Sequence, residues 1–167
     1  ENEKDRFGNW VNYPWKNTLV HILSEEEFIR IRTLRNNFKI TPEEQAILRQ
    51  KKIGIVGLSV GQSVALAIAL ERGCGEMRLA DFDTLELSNL NRLKAGVTSL
   101  GLEKVIIAAR EISEIDPYLK VILFRSGINE NNVTDFLEGN GKLDLLIDEC
   151  DSLDVKLLLR EEAKKKP

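Results

Sequence analysis

The chain has 167 residues, of which 43% are hydrophobic and 31% are charged, and its formal net charge is −3. This composition is typical of one ordinary globular domain with a core of its own, and it excludes a disordered chain. The pI of about 5.4 indicates no basic patch of the kind that binds nucleic acid or an anionic membrane. We therefore expect neither nucleic acid nor a membrane as a partner.

The two cysteines, Cys74 and Cys150, are far apart and lack the C-x-x-C spacing of a zinc site or a disulfide framework. This pattern favours a reducing cytoplasm. The longest nearly apolar run, residues 64–70, is shorter than the roughly 20 residues that span a bilayer, and no signal-peptide pattern opens the chain. The first residue is Glu and the last ones are typical of a helix-to-strand connection, so we expect a piece of a longer protein whose C-terminal part of the fold is missing.

Residues 1–24 are rich in aromatic side chains without a clear period, and they predict an extended arm that docks on another surface. Packing, rather than catalysis, is the expected role of His21 in this arm. Residues 25–50 predict a helical lead-in. Ser24 and the three glutamates after it indicate one helix start, and Thr41-Pro42-Glu43-Glu44 indicates another with a capping box.

Residues 51–167 alternate between strand and helix patterns, which predicts an α/β fold with a doubly wound, Rossmann-like, mostly parallel sheet. Gly73 is typical of a residue that ends a helix. The predicted strands are residues 52–57, 76–81, 120–125 and 143–148, and the predicted helices are residues 61–72, 101–115, 131–138 and 153–164.

A glycine turn between the first of these strands and its helix, from Gly57 to Gly61, is typical of nucleotide-binding domains. Glycines let the backbone approach a phosphate, and the helix N-terminus presents free N–H groups to it. Asp81 closes the next strand, where an acid can bind a ribose hydroxyl. A tight turn without a ligand also explains the glycines, and a solvated loop acid also explains Asp81.

The segment 81–92, D-F-D-T-L-E-L-S-N-L-N-R, closely resembles the D-x-D-x-v-x-x-S-N-L-N-R signature of the ThiF/MoeB adenylating enzymes, which are relatives of ubiquitin-activating enzymes. The resemblance covers about residues 28–167. It includes G-L-E-K-V at 101–105, I-D-P at 115–117 and D-E-C-D at 148–151. The aromatic arm is similar to that of a bacterial subgroup in which this domain is joined to a nitroreductase-like domain with a flavin.

The resemblance implies that the protein uses ATP and Mg²⁺ to adenylate a carboxylate, either the C-terminus of a ubiquitin-like protein or a small acid, with release of pyrophosphate. It implies a homodimer in which Arg35 reaches into the partner's site and Asp151 holds the metal. Asp81 would bind the ribose, and Asn89, Arg92 and Lys104 would bind the triphosphate. The remaining residues of the nucleotide site implied by the resemblance are Gly57, Ser59, Gly61 and Asp83.

Simpler roles are open for several of these residues. Lys104 could be a solvated surface residue, Arg92 could pair with a nearby acid, and Arg35 could belong to a solvated basic face. Asp151 is also a candidate N-cap of the last helix, a role that Ser152 could fill.

Two alternatives to adenylation are open, and two departures from the family pattern favour the one without catalysis. Ser59 and Gln62 replace expected glycines, and we expect Gln62 to crowd the phosphates. The alternatives are an NAD(P)-binding Rossmann oxidoreductase domain, which shares the glycine turn and Asp81, and a degenerate partner domain without catalysis.

Overall fold

A computed structural model describes residues 7–165 of the protein. The chain folds into two compact units, Glu1–Gln45 and Ala46–Pro167, and each unit is described by itself. Between residues 7 and 165, no helix is both long enough and apolar enough to cross a membrane.

Part of the predicted arm forms an antiparallel hairpin, while residues 1–6 of that arm lie outside the described residues. Strand β1 (Asn9–Tyr13) pairs with β2 (Thr18–Ile22) across a short 3-10 turn. Trp10 and His21 lie opposite each other, and their rings stack with centroids 4.5 Å apart. His21 therefore packs against an aromatic ring.

Helix α1 (Glu25–Arg32) starts after Ser24, as the sequence predicts. Thr33 is the C-cap of α1, and both its N–H and its hydroxyl donate to the Ile29 carbonyl, at 2.9 and 2.8 Å. The helical elements that follow are a 3-10 helix (Leu34–Phe38) and α2 (Pro42–Leu48).

The C-terminal unit contains the predicted α/β fold. Its strands are β3 (Lys52–Val56), β4 (Glu76–Ala80), β5 (Lys120–Phe124) and β6 (Leu145–Asp148). Its α-helices are α3 (Leu58–Glu71), α4 (Lys104–Ile115), α5 (Val133–Glu138) and α6 (Leu153–Lys164). The strands are parallel in the order β5-β4-β3-β6, which confirms the predicted sheet. The order reverses at β3, so the edge between β3 and β6 is the switch point where such sheets bind ligands.

Each face of this sheet has its own apolar core because successive strand residues point to opposite faces. Ile55 and Leu79 pack on one face against α3 and α4, whereas Val56 and Ala80 pack on the other against α5 and α6. Helices therefore cover both faces, as expected for a doubly wound fold. The main buried helix residues are Ala65, Leu66, Ala69, Val105, Ala108 and Ile112 on the first face, and Phe136, Leu137 and Leu159 on the second.

The C-terminal end of α3 differs from the sequence expectation. Arg72, rather than Gly73, adopts the left-handed conformation, with φ of 54°. The Gly73 N–H still donates to the Ile68 carbonyl at 2.9 Å. The guanidinium of Arg72 is buried and pairs with the fully buried Asp116, so the residue in the left-handed conformation also carries a buried ion pair.

Candidate active site

The carboxyl ends of β3, β4 and β6 meet at one edge of the sheet and line an open cleft. The turn after β3 contributes Gly57 and Ser59, and the turn after β4 contributes Asp81 and Asp83. The connection from β6 to α6 contributes the opposite wall. The other lining residues are Val56, Ala80, Phe82, Gly127, Ile128, Glu149, Cys150, Asp151, Ser152 and Val155.

Gly57 is required by the backbone itself. Its φ is +84°, and a Cβ there would lie 2.7 Å from main-chain atoms of both Glu149 and Cys150. Gly61 has a different role, because a Cβ there would lie 2.9 Å from the Ile55 side chain and push α3 away from β3. The tight-turn explanation therefore accounts for Gly57, and close helix packing accounts for Gly61.

Helix α3 begins at Leu58, about three residues before its predicted start, so Ser59 and Gly61 lie in its first turn. Asp81, which is 8% exposed, accepts the Leu58 N–H at 2.6 Å and the Asp83 N–H at 2.8 Å. This carboxylate thus satisfies one of the orphan donors at the helix N-terminus. Each carboxylate oxygen has a second lone pair, so Asp81 keeps the capacity to accept a ribose hydroxyl.

Lys104 is buried, contrary to the solvated alternative, although it is the first residue of α4. Its Nζ lies 2.7 Å from Asp83 Oδ2 and 3.2 Å from Ser59 Oγ. A cation at a helix N-terminus opposes the helix dipole, so a nearby anion is needed to hold it there. The structure thus brings together three of the predicted site residues beside the start of α3.

Asn89 and Arg92 do not line the cleft in this structure. Asn89 is buried, and its Oδ1 accepts the Glu86 N–H at 3.0 Å in a capping box at the start of a 3-10 helix (Leu87–Asn91). Arg92 is exposed, and its Nη1 donates to Asn91 Oδ1 at 2.9 Å. In this capping box the glutamate precedes the shorter polar residue, the reverse of the usual order, so the sequence pattern did not reveal the structural role of Asn89.

Gln62 is 1% exposed, and its side chain is turned to the main chain of Lys94. It is absent from the residues that line the cleft. The expectation that Gln62 crowds the phosphates is therefore corrected: its amide is occupied by a backbone partner on another segment of the chain.

Asp148, at the end of β6, receives three hydrogen bonds on one oxygen. The Cys150 thiol donates at 3.0 Å, the Cys150 N–H at 3.2 Å and the Lys156 ammonium at 3.1 Å. Burial acts to raise the pKa of Asp148, but these bonds outweigh it and the pKa is lowered. Burial, with a further contribution from Asp148, raises the pKa of the Cys150 thiol to about 11. Cys150 is therefore a protonated thiol at neutral pH, and sequence reasoning had missed its partners.

Asp151 lies in the cleft with an exposed side chain. Ser152 caps α6, because its Oγ accepts the Val155 N–H at 3.4 Å. Within the part of the chain that the structure describes, no hydrogen bond or ion pair occupies the Asp151 carboxylate. No three acidic, histidine or cysteine side chains among residues 7–165 form a metal cage. Mg²⁺ usually takes only one or two protein carboxylates together with substrate phosphates, and the free carboxylate of Asp151 fits that donor set.

Arg35 belongs to the N-terminal unit, where it lies in the 3-10 helix Leu34–Phe38 with an exposed side chain.

Comparison with known proteins agrees with the fold. An uncharacterized protein of Mycobacterium tuberculosis is 50% identical to this chain over 154 residues, which make up 92% of this chain and 21% of that protein. Ubiquitin-like modifier-activating enzyme 5 of Culex quinquefasciatus is 27% identical over 149 residues, 83% of this chain and 36% of that enzyme. The chain thus spans well under half the length of these two relatives.

The crystal structure of the E. coli tRNA N6-threonylcarbamoyladenosine dehydratase TcdA is similar, with a TM-score of 0.75 and 26% sequence identity. The match covers 81% of this chain and 56% of that one. TcdA has also been solved in complex with ATP and with AMP. The model of the ThiF family matches residues 33–166, which include the whole described sheet and its cleft. The chain belongs to the ThiF family.

Proposed function

We propose that this chain is the nucleotide-binding part of an enzyme that adenylates a carboxylate with Mg-ATP. The observation that carries the proposal is the grouping of Asp81, Asp83 and Asp151 around one cleft at the carboxyl ends of the strands, beside the N-terminus of α3. Lys104 contacts two residues of this cleft, Ser59 and Asp83. The complexes of TcdA with ATP and AMP support the same ligand for a related sheet.

In the proposed reaction, an oxygen of the substrate carboxylate attacks the α-phosphorus of ATP. The bond from that phosphorus to the bridging oxygen breaks, pyrophosphate leaves with the electron pair, and an acyl adenylate remains. Charge builds on the leaving group, so cations placed beforehand stabilise the transition state. Lys104 is already held beside the cleft by Ser59 and Asp83. Arg92 would supply a second cation by turning its exposed side chain from Asn91 toward the triphosphate.

In the proposed nucleotide site Asp81 binds the ribose. Asn89 would reach the triphosphate through its side-chain NH₂ group, from a segment that does not line the cleft in this structure. Asp151 would hold Mg²⁺, which supplies positive charge to the phosphate oxygens when it is bound. The carboxylate is either the C-terminus of a ubiquitin-like protein or a small acid. The relation to ubiquitin-like modifier-activating enzyme 5 supports the first of these.

The first experiment is titration calorimetry of the full-length protein with ATP and with NADH, each with and without Mg²⁺. We expect ATP to bind in a Mg²⁺-dependent manner and NADH not to bind. Binding of NADH alone would favour an oxidoreductase domain, and binding of neither would favour a non-catalytic partner domain.

Asp151→Ala tests the metal assignment. We expect this variant to lose Mg²⁺-dependent ATP affinity by about tenfold or more, because the open carboxylate is replaced by a methyl group. Asp154→Ala is the matched control, since Asp154 is also an exposed acid near the start of α6 but does not line the cleft. An unchanged ATP affinity of Asp151→Ala would reject Asp151 as the Mg²⁺ ligand. The adenylation reaction itself is measured by ATP–pyrophosphate exchange in the presence of a panel of carboxylates.

We also propose a homodimer in which Arg35 acts in the partner's site. The exposed side chain of Arg35 is compatible with this role. Mixing inactive Arg35→Ala and Asp151→Ala proteins should restore about a quarter of the pyrophosphate exchange, because one of the two sites in a mixed dimer is intact and half of the dimers are mixed. Absence of any recovery in demonstrated mixed dimers would argue against action between subunits.

A further inference from the structure

Gln62 and the main chain of Lys94 form a two-way hydrogen-bonded pair. The Lys94 N–H donates to Gln62 Oε1 at 2.9 Å, and Gln62 Nε2 donates to the Lys94 carbonyl at 3.3 Å. The side-chain amide of Gln62 thus satisfies both the N–H and the carbonyl of Lys94, as the backbone of a paired strand would. Since Gln62 is 1% exposed, water cannot readily replace either bond, and the pair is costly to break.

The loop that carries Arg92 is anchored immediately after that residue. Leu93 is 6% exposed and packs in a small apolar cluster with Leu85 and Ile107. Lys94 is held next by Gln62. Two consecutive anchors therefore fix the backbone direction as the loop leaves Arg92, although the arginine side chain itself is exposed.

The other end of this connection lies in the N-terminal part of α3, close to the residues that line the cleft. Gln62 follows Gly61, whose close contact with Ile55 fixes α3 on β3, and Asp81 binds the N-terminal Leu58 of the same helix. The pairing with Lys94 thus joins the Arg92 loop to the same first turns of α3 that Asp81 holds.

We propose that Gln62 is a positioning residue that holds the Arg92 loop in register with the N-terminus of α3, so that Arg92 can bind the triphosphate of ATP. This inference rests on the proposed function. The inference explains why Gln62, a buried amide, stands at a position where the family pattern has glycine.

The first test needs no activity. Gln62→Met keeps the side chain's length and removes both hydrogen bonds. In the full-length protein, we expect trypsin to cleave after Arg92 and Lys94 about tenfold faster, since two lost hydrogen bonds change a local opening equilibrium by roughly that factor. Cleavage after Lys142, in an exposed loop elsewhere in the same unit, should keep its rate. An unchanged rate at Arg92 and Lys94, or an equal increase at Lys142, would overturn the proposal.

The second test measures coupling by calorimetry with Mg-ATP. We expect Gln62→Met and Arg92→Ala each to weaken ATP binding by about tenfold, and the double variant to be no weaker than Arg92→Ala alone. Additive losses of about a hundredfold would show that Gln62 acts independently of Arg92 and would overturn the inference.

The remaining outcomes separate the inference from the proposed function. If Arg92→Ala weakens binding and Gln62→Met does not, only the inference is overturned. If Arg92→Ala has no effect, the inference and the role of Arg92 in the proposed site are overturned together. If the unaltered protein does not bind ATP, the proposed function fails, and the trypsin rates alone decide whether Gln62 holds the loop.

Discussion

At the scale of single residues, two glycines with a similar positive φ differ in their surroundings. Gly57 has φ of +84° and Gly101 has φ of +82°, so an L side chain is strained at either position. A Cβ on Gly57 would also meet the main chain of Glu149 and Cys150, whereas a Cβ on Gly101 would meet nothing within 4 Å. The pair therefore separates the cost of the conformation from the cost of close packing.

We expect Gly101→Ala to lower the free energy of unfolding by about 1 kcal/mol, from backbone strain alone. Gly57→Ala should lower it by about 3 kcal/mol or more, because the β6–α6 connection must also move. Urea denaturation of both variants, followed by circular dichroism, measures the difference. Equal losses of unfolding free energy in the two variants would mean that the connection after β6 moves to accommodate the Cβ at no energetic cost.

At the scale of secondary structure, similar start signals produce two kinds of helix cap. Thr41 Oγ1 accepts the Glu44 N–H at 3.2 Å, and Glu44 Oε2 accepts the Thr41 N–H at 2.7 Å, which is the predicted capping box of α2. Ser24 precedes α1 as predicted, but its hydroxyl donates to Glu27 Oε2 at 2.8 Å and accepts no backbone N–H. Only the cap of α2 therefore satisfies two backbone N–H groups, those of Thr41 and Glu44.

The loss of a cap should therefore depend on the helix. Thr41→Ala should lower the stability of the first turn of α2 by about 1 kcal/mol, whereas Ser24→Ala should lower that of α1 by only about 0.3 kcal/mol. Amide hydrogen exchange measures both effects, as the loss of protection of the Glu44 N–H in α2 and of the Glu27 N–H in α1. A larger loss of protection in α1 than in α2 would contradict the assignment of the caps.

At the scale of the C-terminal unit, a buried charged network lies at the end of β4 opposite the cleft. Arg78, which is 1% exposed, donates to Glu76 at 2.9 Å and to the carbonyls of Phe136 and Gly141 at 2.5 and 2.6 Å. These bonds tie the end of α5 and the loop after it to the central sheet. Lys120 on β5 completes the network at 3.0 Å from Glu76.

This network predicts a pH-dependent stability. Burial acts to raise the pKa of Glu76, but hydrogen bonds from Lys120, Arg78 and Asn140 outweigh it and the pKa is lowered. The folded state therefore binds the Glu76 proton less tightly than the unfolded chain does. The resulting stabilisation is complete above the ordinary glutamate pKa and is lost as the pH falls through the lowered value.

We expect Glu76→Gln to be about 2 kcal/mol less stable than the unaltered protein at pH 7, because charged hydrogen bonds are replaced by neutral ones. The difference should shrink steadily below pH 4, as Glu76 itself becomes protonated. Urea denaturation of both proteins between pH 7 and pH 3 measures it. A difference that stays constant with pH would show that the charge of Glu76 does not contribute to stability.

The sequence by itself determined the type and order of the elements in the C-terminal unit. Apolar periodicity, glycine turns and caps act between near neighbours, so β3 to α6 were predictable to within a few residues. The parallel sheet followed from the alternation of strands and helices, and it placed Gly57, Asp81 and Asp151 at one edge. Local chemistry was sufficient for these features because each depends on a short stretch of chain.

Only the tertiary structure decided which side chains meet. Lys104 with Ser59, Gln62 with Lys94, and Arg78 with Phe136 join residues 45, 32 and 58 positions apart. The sequence left a solvated Lys104 open beside a phosphate-binding one, and it suggested that Gln62 crowds the phosphates, whereas the fold buries both side chains and supplies their partners. Burial makes an unpaired polar group costly, so the partner that a polar side chain takes is set by the whole packed arrangement and not by its neighbours along the chain.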